Sequence, residues 1–315
     1  MTADGRRLRL VTPKSQPLQL AFDAFLIAQE AARHSPLTLK WYVHRLGRFL
    51  AFLSERGITA PENITATDCR AFIVDLEREG LAPNTVHGYA QILKTFCRFL
   101  ESEGFAPTNA MARVAMPKLP KQIMPAFSPE DVKRLLEACT SARETAIVLC
   151  LLDSGCRAAE FCALRLQDVD LRSGAVRVIH GKGAKDRSVY LGGKARQALI
   201  RYLRERPETP AYAGATDPLW LSENTGESPR TRGLTANGLF KLCKRLGERA
   251  GVAHCHPHTF RRTCALWSLR AGMSVYHLQA IMGHSDLETL RRYLALVESD
   301  AEEAHRRFGA VDNML

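Results

Sequence analysis

The sequence predicts a mainly α protein of the α+β class: an N-terminal helical bundle followed by a second, mostly helical domain with a small antiparallel β-sheet. Three observations predict this class. Apolar residues recur at helical spacing through residues 17–105. A proline-punctuated, basic stretch then interrupts the periodicity over 106–129. Beyond it, helical patterns return around two short segments of strand character joined by a glycine-containing turn.

The bundle is predicted most clearly from two segments, 36–57 and 83–104, which align without gaps. Each begins with a proline, repeats the same apolar positions and ends at a glycine, Gly57 or Gly104. Proline suits the first turn of a helix and glycine suits its stop. Two helices with the same start, core face and end are therefore expected. Any two amphipathic helices can share such a pattern, so no duplication is inferred.

The second domain is predicted to begin with a helix that Ser128 caps and Pro129 opens. An apolar helix over 145–152 should stop at Gly155, and the next helix should cover 158–166. The strands are expected at 175–179 and 187–191. Further helices are expected at 194–205, 236–250, 258–270 and 274–282, and a capping box of Ser285 with Glu288 begins another.

These patterns divide the chain into five parts. We expect an N-terminal tail at 1–16, the helical bundle at 17–110, a linker at 111–126, the second domain at 127–298 and a C-terminal interaction tail at 299–315.

Charge favours a polyanionic partner. The chain has 44 Lys and Arg against 33 Asp and Glu, a net charge of +11, and the excess is spread over both domains. DNA would be attracted by such a surface, although a merely basic soluble protein fits the same numbers. No apolar run approaches the roughly 20 residues of a membrane-spanning helix, and the N-terminus lacks the apolar core of a signal peptide. A cytoplasmic location is expected.

The cysteines and histidines give no clear site of their own. Nine cysteines without framework spacing argue against a disulfide scaffold and favour buried thiols. The run at 254–258 holds three histidines and one cysteine, but it lacks the paired spacing of a zinc site. We therefore expect no metal.

Five short blocks carry the chemistry. In chain order they are Arg157-x-x-Glu160, Gly181-Lys182-Gly183, His258-x-x-Arg261, Gly283-His284 and Tyr293. Each block alone is weak, but the ordered set resembles the tyrosine recombinase (phage integrase) family, and in particular its Xer-like members. The N-terminal bundle is similar to the core-DNA-binding (SAM-like) domain of that family, so the resemblance covers nearly the whole chain. It implies a tyrosine-recombinase catalytic domain after the linker.

The residue types suit an attack on a phosphodiester. The resemblance implies that Tyr293 is the nucleophile, and a phenol with a pKa of about 10 needs cations or a base nearby. Arginine forks suit the charge that develops on phosphate oxygens, a role for Arg157 and Arg261. His258 lies three residues before Arg261 on one helix, so both face the same way.

The remaining site residues receive supporting roles. Lys182 is expected to protonate the leaving oxygen, His258 to assist proton transfer, His284 to hydrogen-bond the phosphate, and Glu160 to orient Arg157. We expect DNA contacts from Lys118, Lys121, Lys185, Arg187 and Arg262. Arg262 stands where many family members have histidine.

The resemblance implies a site-specific recombinase or integrase that cleaves and rejoins DNA through a 3′-phosphotyrosine link, without metal, ATP or small-molecule cofactor. Its partners would be double-stranded DNA with specific recombination sites and three further copies of the chain in a tetramer, with no membrane. Recombination or integration of a mobile element in the cytoplasm, at the nucleoid, would fit. Two alternatives stay open: a type IB topoisomerase-like nicking-closing enzyme and a catalytically silent DNA-binding protein.

Overall fold

The computed structural model describes residues 17–119, 125–179, 186–206, 216–222 and 233–283. The chain divides into two compact units, Met1–Gln122 and Ile123–Leu315. All nine cysteines are free, and seven of them are buried. Among the described residues, no helix has the length and apolarity needed to cross a membrane.

The first unit is a four-helix bundle, as the periodicity predicted. Its helices are α1 (Pro17–Ala31), α2 (Pro36–Glu55), α3 (Ala66–Arg78) and α4 (Pro83–Ser102), with a 3-10 turn at Pro61–Asn63. The two matching segments become α2 and α4, each with proline in its first turn. Gly57 and Gly104 follow these helices with positive φ angles of 71° and 75°, which glycine adopts without steric cost.

The core of this unit extends into the expected linker. Met111 is 1% exposed and packs with the helices. The backbone carbonyl of Pro117 lies 2.8 Å from Nδ1 of His87 on α4. Residues 111–119 of the expected linker are therefore held on the bundle, because their apolar side chains complete the core that the four helices leave open.

The second unit contains seven helices and one sheet among its described residues. They are α5 (Pro129–Glu137), α6 (Ala142–Ser154), α7 (Ala158–Ala163), β1 (Ala175–Val178), β2 (Arg187–Tyr190), α8 (Gly193–Glu205), α9 (Ala236–Ala250), α10 (Pro257–Arg270) and α11 (Val275–Met282). The strands pair antiparallel, with Val176 opposite Val189. Helix α6 packs against α8 and α10 at the centre of the unit.

Local signals set most of these boundaries. Ser128 caps α5 in a capping box with Asp131, and Gly155 ends α6 with a φ of 57°. The predicted helix over 158–166 is too long, because α7 ends at Ala163 and a separate 3-10 turn covers Leu166–Asp168. Asp168 accepts the backbone N–H of Arg165 at 2.9 Å and thereby starts that turn.

Candidate active site

A close approach at Gly155 places Arg157. Gly155 is left-handed, and a Cβ there would lie 2.8 Å from the sulfur of Met282 and 3.0 Å from the sulfur of Cys264. Glycine therefore permits both the turn and the contact with α10 and α11. Two residues later Arg157 is the N-cap of α7, with an extended backbone and a side chain that is 30% exposed.

Glu160 is the buried centre of the site. Its carboxylate accepts the backbone N–H of Arg157 at 2.9 Å and Nη1 of the same residue at 2.8 Å. It also accepts Nη2 of Arg187 at 2.6 Å and Nη1 at 3.2 Å. Burial opposes ionisation, but the hydrogen bonds with Arg187 and Arg157 outweigh it and lower the pKa of Glu160 to about 2. The carboxylate is ionised at neutral pH and is hydrogen-bonded to both the backbone and the side chain of Arg157.

Arg187 lies inside the protein rather than on its surface. Its side chain is 11% exposed, and Nε donates to the carbonyl oxygen of Ile281 at 2.8 Å. With both Nη atoms on Glu160, all three guanidinium nitrogens are engaged. These contacts favour a positioning role over the DNA contact that the sequence suggested for this residue.

Sequence reasoning missed these buried contacts of Arg187, although one signal was present. Arg187 lies two residues before Val189, which is fully buried, and side chains two apart share a face of a strand. The alternation of side chains along the strand thus placed Arg187 on the same inner face as Val189.

Arg261 is the most deeply buried arginine of the site, at 3% exposure. Nη1 donates to the carbonyl oxygen of Gly155 and Nη2 to that of Met282, both at 2.6 Å. Burial and the charge of Arg157 lower the pKa of Arg261 to about 10. The group therefore stays protonated at neutral pH, and α10 supplies a fixed cation to the site.

The three arginines converge on the end of α11. They donate to three consecutive carbonyl oxygens, Ile281 from Arg187, Met282 from Arg261 and Gly283 from Arg157. The last carbonyls of a helix lack partners within it and carry partial negative charge, so cations stabilise them. The cluster thus fixes the backbone of residues 281–283 at the end of α11.

His258 lies at the exposed edge of this cluster, on the first turn of α10. Partial loss of hydration and the charges of Arg262 and Arg261 lower the pKa of His258 to about 4. The ring is therefore neutral at pH 7 and can accept a proton or donate a hydrogen bond. Arg262 is 6% exposed and has no hydrogen bond or ion pair with any residue that the structure describes.

Of the remaining predicted site residues, only Lys118 lies within the described ranges, and it makes no hydrogen bond or ion pair with another described residue. Lys118 is exposed at the end of the described part of the first unit. Five predictions lie outside the described residues: Lys121, Lys182, Lys185, His284 and Tyr293. Also within the described ranges, no group of three or more histidine, cysteine or acidic side chains is placed to hold a metal ion, and this includes the run at 254–258.

Comparison with known proteins decides the family. The model of the phage integrase family matches residues 126–299, and that of the phage integrase N-terminal SAM-like domain matches 21–104. The chain belongs to the phage integrase family. The match spans both units, and the catalytic-domain model covers all five sequence blocks.

Individual members of the phage integrase family agree with this placement. Tyrosine recombinase XerC of Oceanobacillus iheyensis is 30% identical over 297 residues, which cover 92% of this chain and 96% of the relative. The crystal structure of XerA recombinase has 26% identity and a TM-score of 0.51, covering 92% of this chain and 98% of that one. The Tn1549 transposon integrase, solved with circular intermediate DNA, has a TM-score of 0.70 at 18% identity, covering 89% and 95%, and so shows the shared fold.

Proposed function

We propose that this phage integrase family member is a site-specific tyrosine recombinase that cleaves and rejoins duplex DNA. The observation that carries the proposal is the gathering of Arg157 and Arg261 at the end of α11, with Glu160 and Arg187 behind them. Two fixed guanidinium groups lie beside the chain segment that leads into the Gly-His pair and the tyrosine. Its named relatives are tyrosine recombinases, which favours recombination over a topoisomerase or a silent DNA-binding protein.

The arginines would act on the scissile phosphate. Each guanidinium uses two of its five N–H donors on carbonyl or carboxylate oxygens, so donors remain for phosphate oxygens. The backbone N–H of Arg157, which also binds Glu160, is not counted among these donors. In an in-line attack, negative charge grows on the non-bridging oxygens, and fixed forks stabilise that charge without reorganising. Arg157, being partly exposed, can reach a phosphate directly, whereas Arg261 supplies a buried field.

The covalent step conserves the phosphodiester energy. The oxygen of Tyr293 bonds to phosphorus, the bond from phosphorus to the 5′-oxygen breaks, and the 5′-oxygen leaves as a hydroxyl after taking a proton from Lys182. The neutral ring of His258 is suited to assist removal of the phenol proton, and His284 donates a hydrogen bond to the phosphate. The 3′-phosphotyrosine is then attacked by a 5′-hydroxyl, so the cycle needs neither metal nor ATP.

The partners follow from this chemistry. We expect a homo-tetramer on paired DNA sites, working in the cytoplasm at the nucleoid, with residues 299–315 docking on a neighbouring copy. Lys118, Lys121 and Lys185 would contact phosphates, and the basic balance of the chain supports such contacts.

Strand exchange on a defined substrate tests this function. The duplex that the protein protects beside its own gene is labelled, mixed with a second copy of different length, and incubated with the protein and a chelator. Recombinant products of hybrid length are expected. Relaxed circles from a supercoiled plasmid without exchange would indicate a topoisomerase, and binding without cleavage would indicate a silent DNA-binding protein.

A further inference from the structure

The charge of the first unit is divided between its helices. Over residues 36–54 of α2 and 83–100 of α4 there are basic side chains and no carboxylate. Helix α3, by contrast, carries Asp68, Asp75 and Glu77 against two arginines, with Glu79 at its end, so its acidic groups are in excess. Helices α2 and α4 pack against each other, so the bundle has one cationic pair of helices suited to a polyanion.

Within that pair, Arg45 stands apart from the other arginines of α2 and its C-cap. Arg48 is paired with Glu79, and Arg56 with Asp75 at 3.6 Å. Arg45 makes no hydrogen bond and no ion pair with any residue in the described part of the chain. Its guanidinium donors therefore remain available to a ligand.

Arg45 is nevertheless held in place. Its guanidinium carbon lies 4.6 Å from the ring centroid of Trp41 and 5.1 Å from that of Tyr89 on α4. Cation–π contacts of this kind fix the plane of the group while leaving its edge free. They also account for Trp41, which is 54% exposed although it is a large aromatic residue.

Gly88 completes the arrangement. A Cβ at residue 88 would collide with Nη1 of Arg45, so the absence of a side chain on α4 makes room for the guanidinium. Gly88 has an ordinary helical backbone, and its φ is not in the left-handed region. Glycine lowers helix stability by about 1 kcal/mol relative to alanine. The room that Gly88 gives to the guanidinium of Arg45 explains why a glycine stands inside α4.

We propose that Arg45, braced by Trp41 and Tyr89 and seated on Gly88, reads a guanine in the major groove of the DNA half-site. This inference rests on the proposed function. An arginine fork binds O6 and N7 of guanine through two parallel hydrogen bonds, which demand orientation as well as charge. A backbone phosphate needs only a nearby cation, and unbraced side chains such as Lys40 and Lys94 meet that need.

Selection from a randomised duplex pool, using the full chain, tests the proposal because the pool contains every possible half-site. Wild type should enrich a sequence with a guanine at one fixed position. Arg45→Lys keeps the charge but loses the fork, and should reduce the preference for that guanine by about 5- to 150-fold, the range for one bidentate pair. Preferences at the other positions should not change.

Gly88→Ala gives an independent variant. It leaves Arg45 and every charge in place, favours the helix, and displaces only the flexible end of the guanidinium, so it should weaken the same guanine preference. Arg56→Lys is the matched control, because Arg56 also lies over an aromatic ring, Phe52, but faces Asp75. It should select the wild-type sequence.

Two results would overturn the recognition of guanine by Arg45, and a third would overturn the part assigned to Gly88. Equal weakening on all sequences, with a salt dependence shallower by about one phosphate contact, would make Arg45 a phosphate contact. An unchanged selected sequence together with unchanged affinity in Arg45→Lys would remove Arg45 from the DNA interface. Loss of a preference in Arg45→Lys but not in Gly88→Ala would show that the seat on Gly88 is irrelevant. A wild-type protein that enriches no sequence would instead contradict the proposed function itself.

Discussion

Replacing Glu160 with glutamine should destabilise the second unit by about 3 kcal/mol. The carboxylate is 6% exposed and receives four hydrogen bonds from Arg157 and Arg187. Glutamine keeps one acceptor oxygen and turns an NH₂ donor toward guanidinium donors. The pKa of Glu160 falls from an ordinary value of 4.5 to about 2, which corresponds to about 3 kcal/mol at 1.36 kcal/mol per unit. Breaking a buried ion pair costs about 3–5 kcal/mol in general.

The pH dependence of this loss has a definite sign. Because the pKa of Glu160 in the folded protein lies below its ordinary value, the stabilisation is complete above about pH 5 and is lost as the pH falls toward 2. The difference between wild type and Glu160→Gln should therefore shrink by roughly 2 kcal/mol from pH 7 to pH 3.

Tryptophan fluorescence can isolate this effect in the full chain. In a Trp41→Phe background the two remaining tryptophans, Trp220 and Trp267, both lie in the second unit. A loss of about 3 kcal/mol should lower the thermal midpoint of that unit by about 6–12 °C at pH 7. Glu137→Gln is the control, since Glu137 makes only an exposed contact with Lys133 and should change the midpoint little. A gap that is absent at pH 7, or equally large at pH 3, would refute an ionised Glu160 at the centre of the site.

Four further predictions concern catalysis and DNA. Arg187→Lys should slow single-turnover cleavage by at least about tenfold while leaving half-site affinity within about twofold, because one ammonium cannot hold both Glu160 and the end of α11. A loss of half-site affinity with normal cleavage would instead indicate that Arg187 contacts DNA. Lys182→Ala should slow cleavage by about two to four orders of magnitude. A substrate with sulfur as the bridging 5′-atom should restore cleavage by this variant, and restoration in Lys185→Ala instead would assign the role of general acid to Lys185. The ring of His258 should titrate near pH 4 by NMR in the free protein, because partial loss of hydration and the neighbouring arginines oppose its charge; a midpoint near 6.5 would contradict that environment. Deletion of 299–315 should preserve binding to one half-site and reduce cooperative assembly, and unchanged cooperativity would show that the tail does not dock on a neighbour.

Helix ends and turns could be predicted from the sequence because their causes are local. Ser128 with Asp131 begins α5, Gly155 ends α6, and the shared proline and glycine positions bound α2 and α4. Capping and left-handed glycine act over three or four residues, a distance that the sequence displays directly. The end of α7 was predicted wrongly, because the capping of Arg165 by Asp168 competes with continuation of the helix.

Part of the site depends on contacts that no local pattern reveals. The resemblance named Arg157, Glu160, His258 and Arg261, but not the carbonyl oxygens that three arginines share at the end of α11. Arg187 and Ile281 are distant in sequence, and only the packing of β2 against α11 brings them together. That Arg45 has no ion pair within the described ranges likewise depends on tertiary contacts, because Glu79 and Asp75 pair with Arg48 and Arg56.

Formation of a covalent protein–DNA adduct tests the central claim most directly. The duplex that the protein protects beside its own gene, nicked near the cleavage point so that the released strand diffuses away, is incubated with wild type and with Tyr293→Phe. We expect a denaturant-resistant adduct for wild type, mapped by peptide analysis to Tyr293, and none for Tyr293→Phe, which should still bind the half-site. An adduct that persists in Tyr293→Phe, or that maps to another residue, would contradict the assignment of the nucleophile.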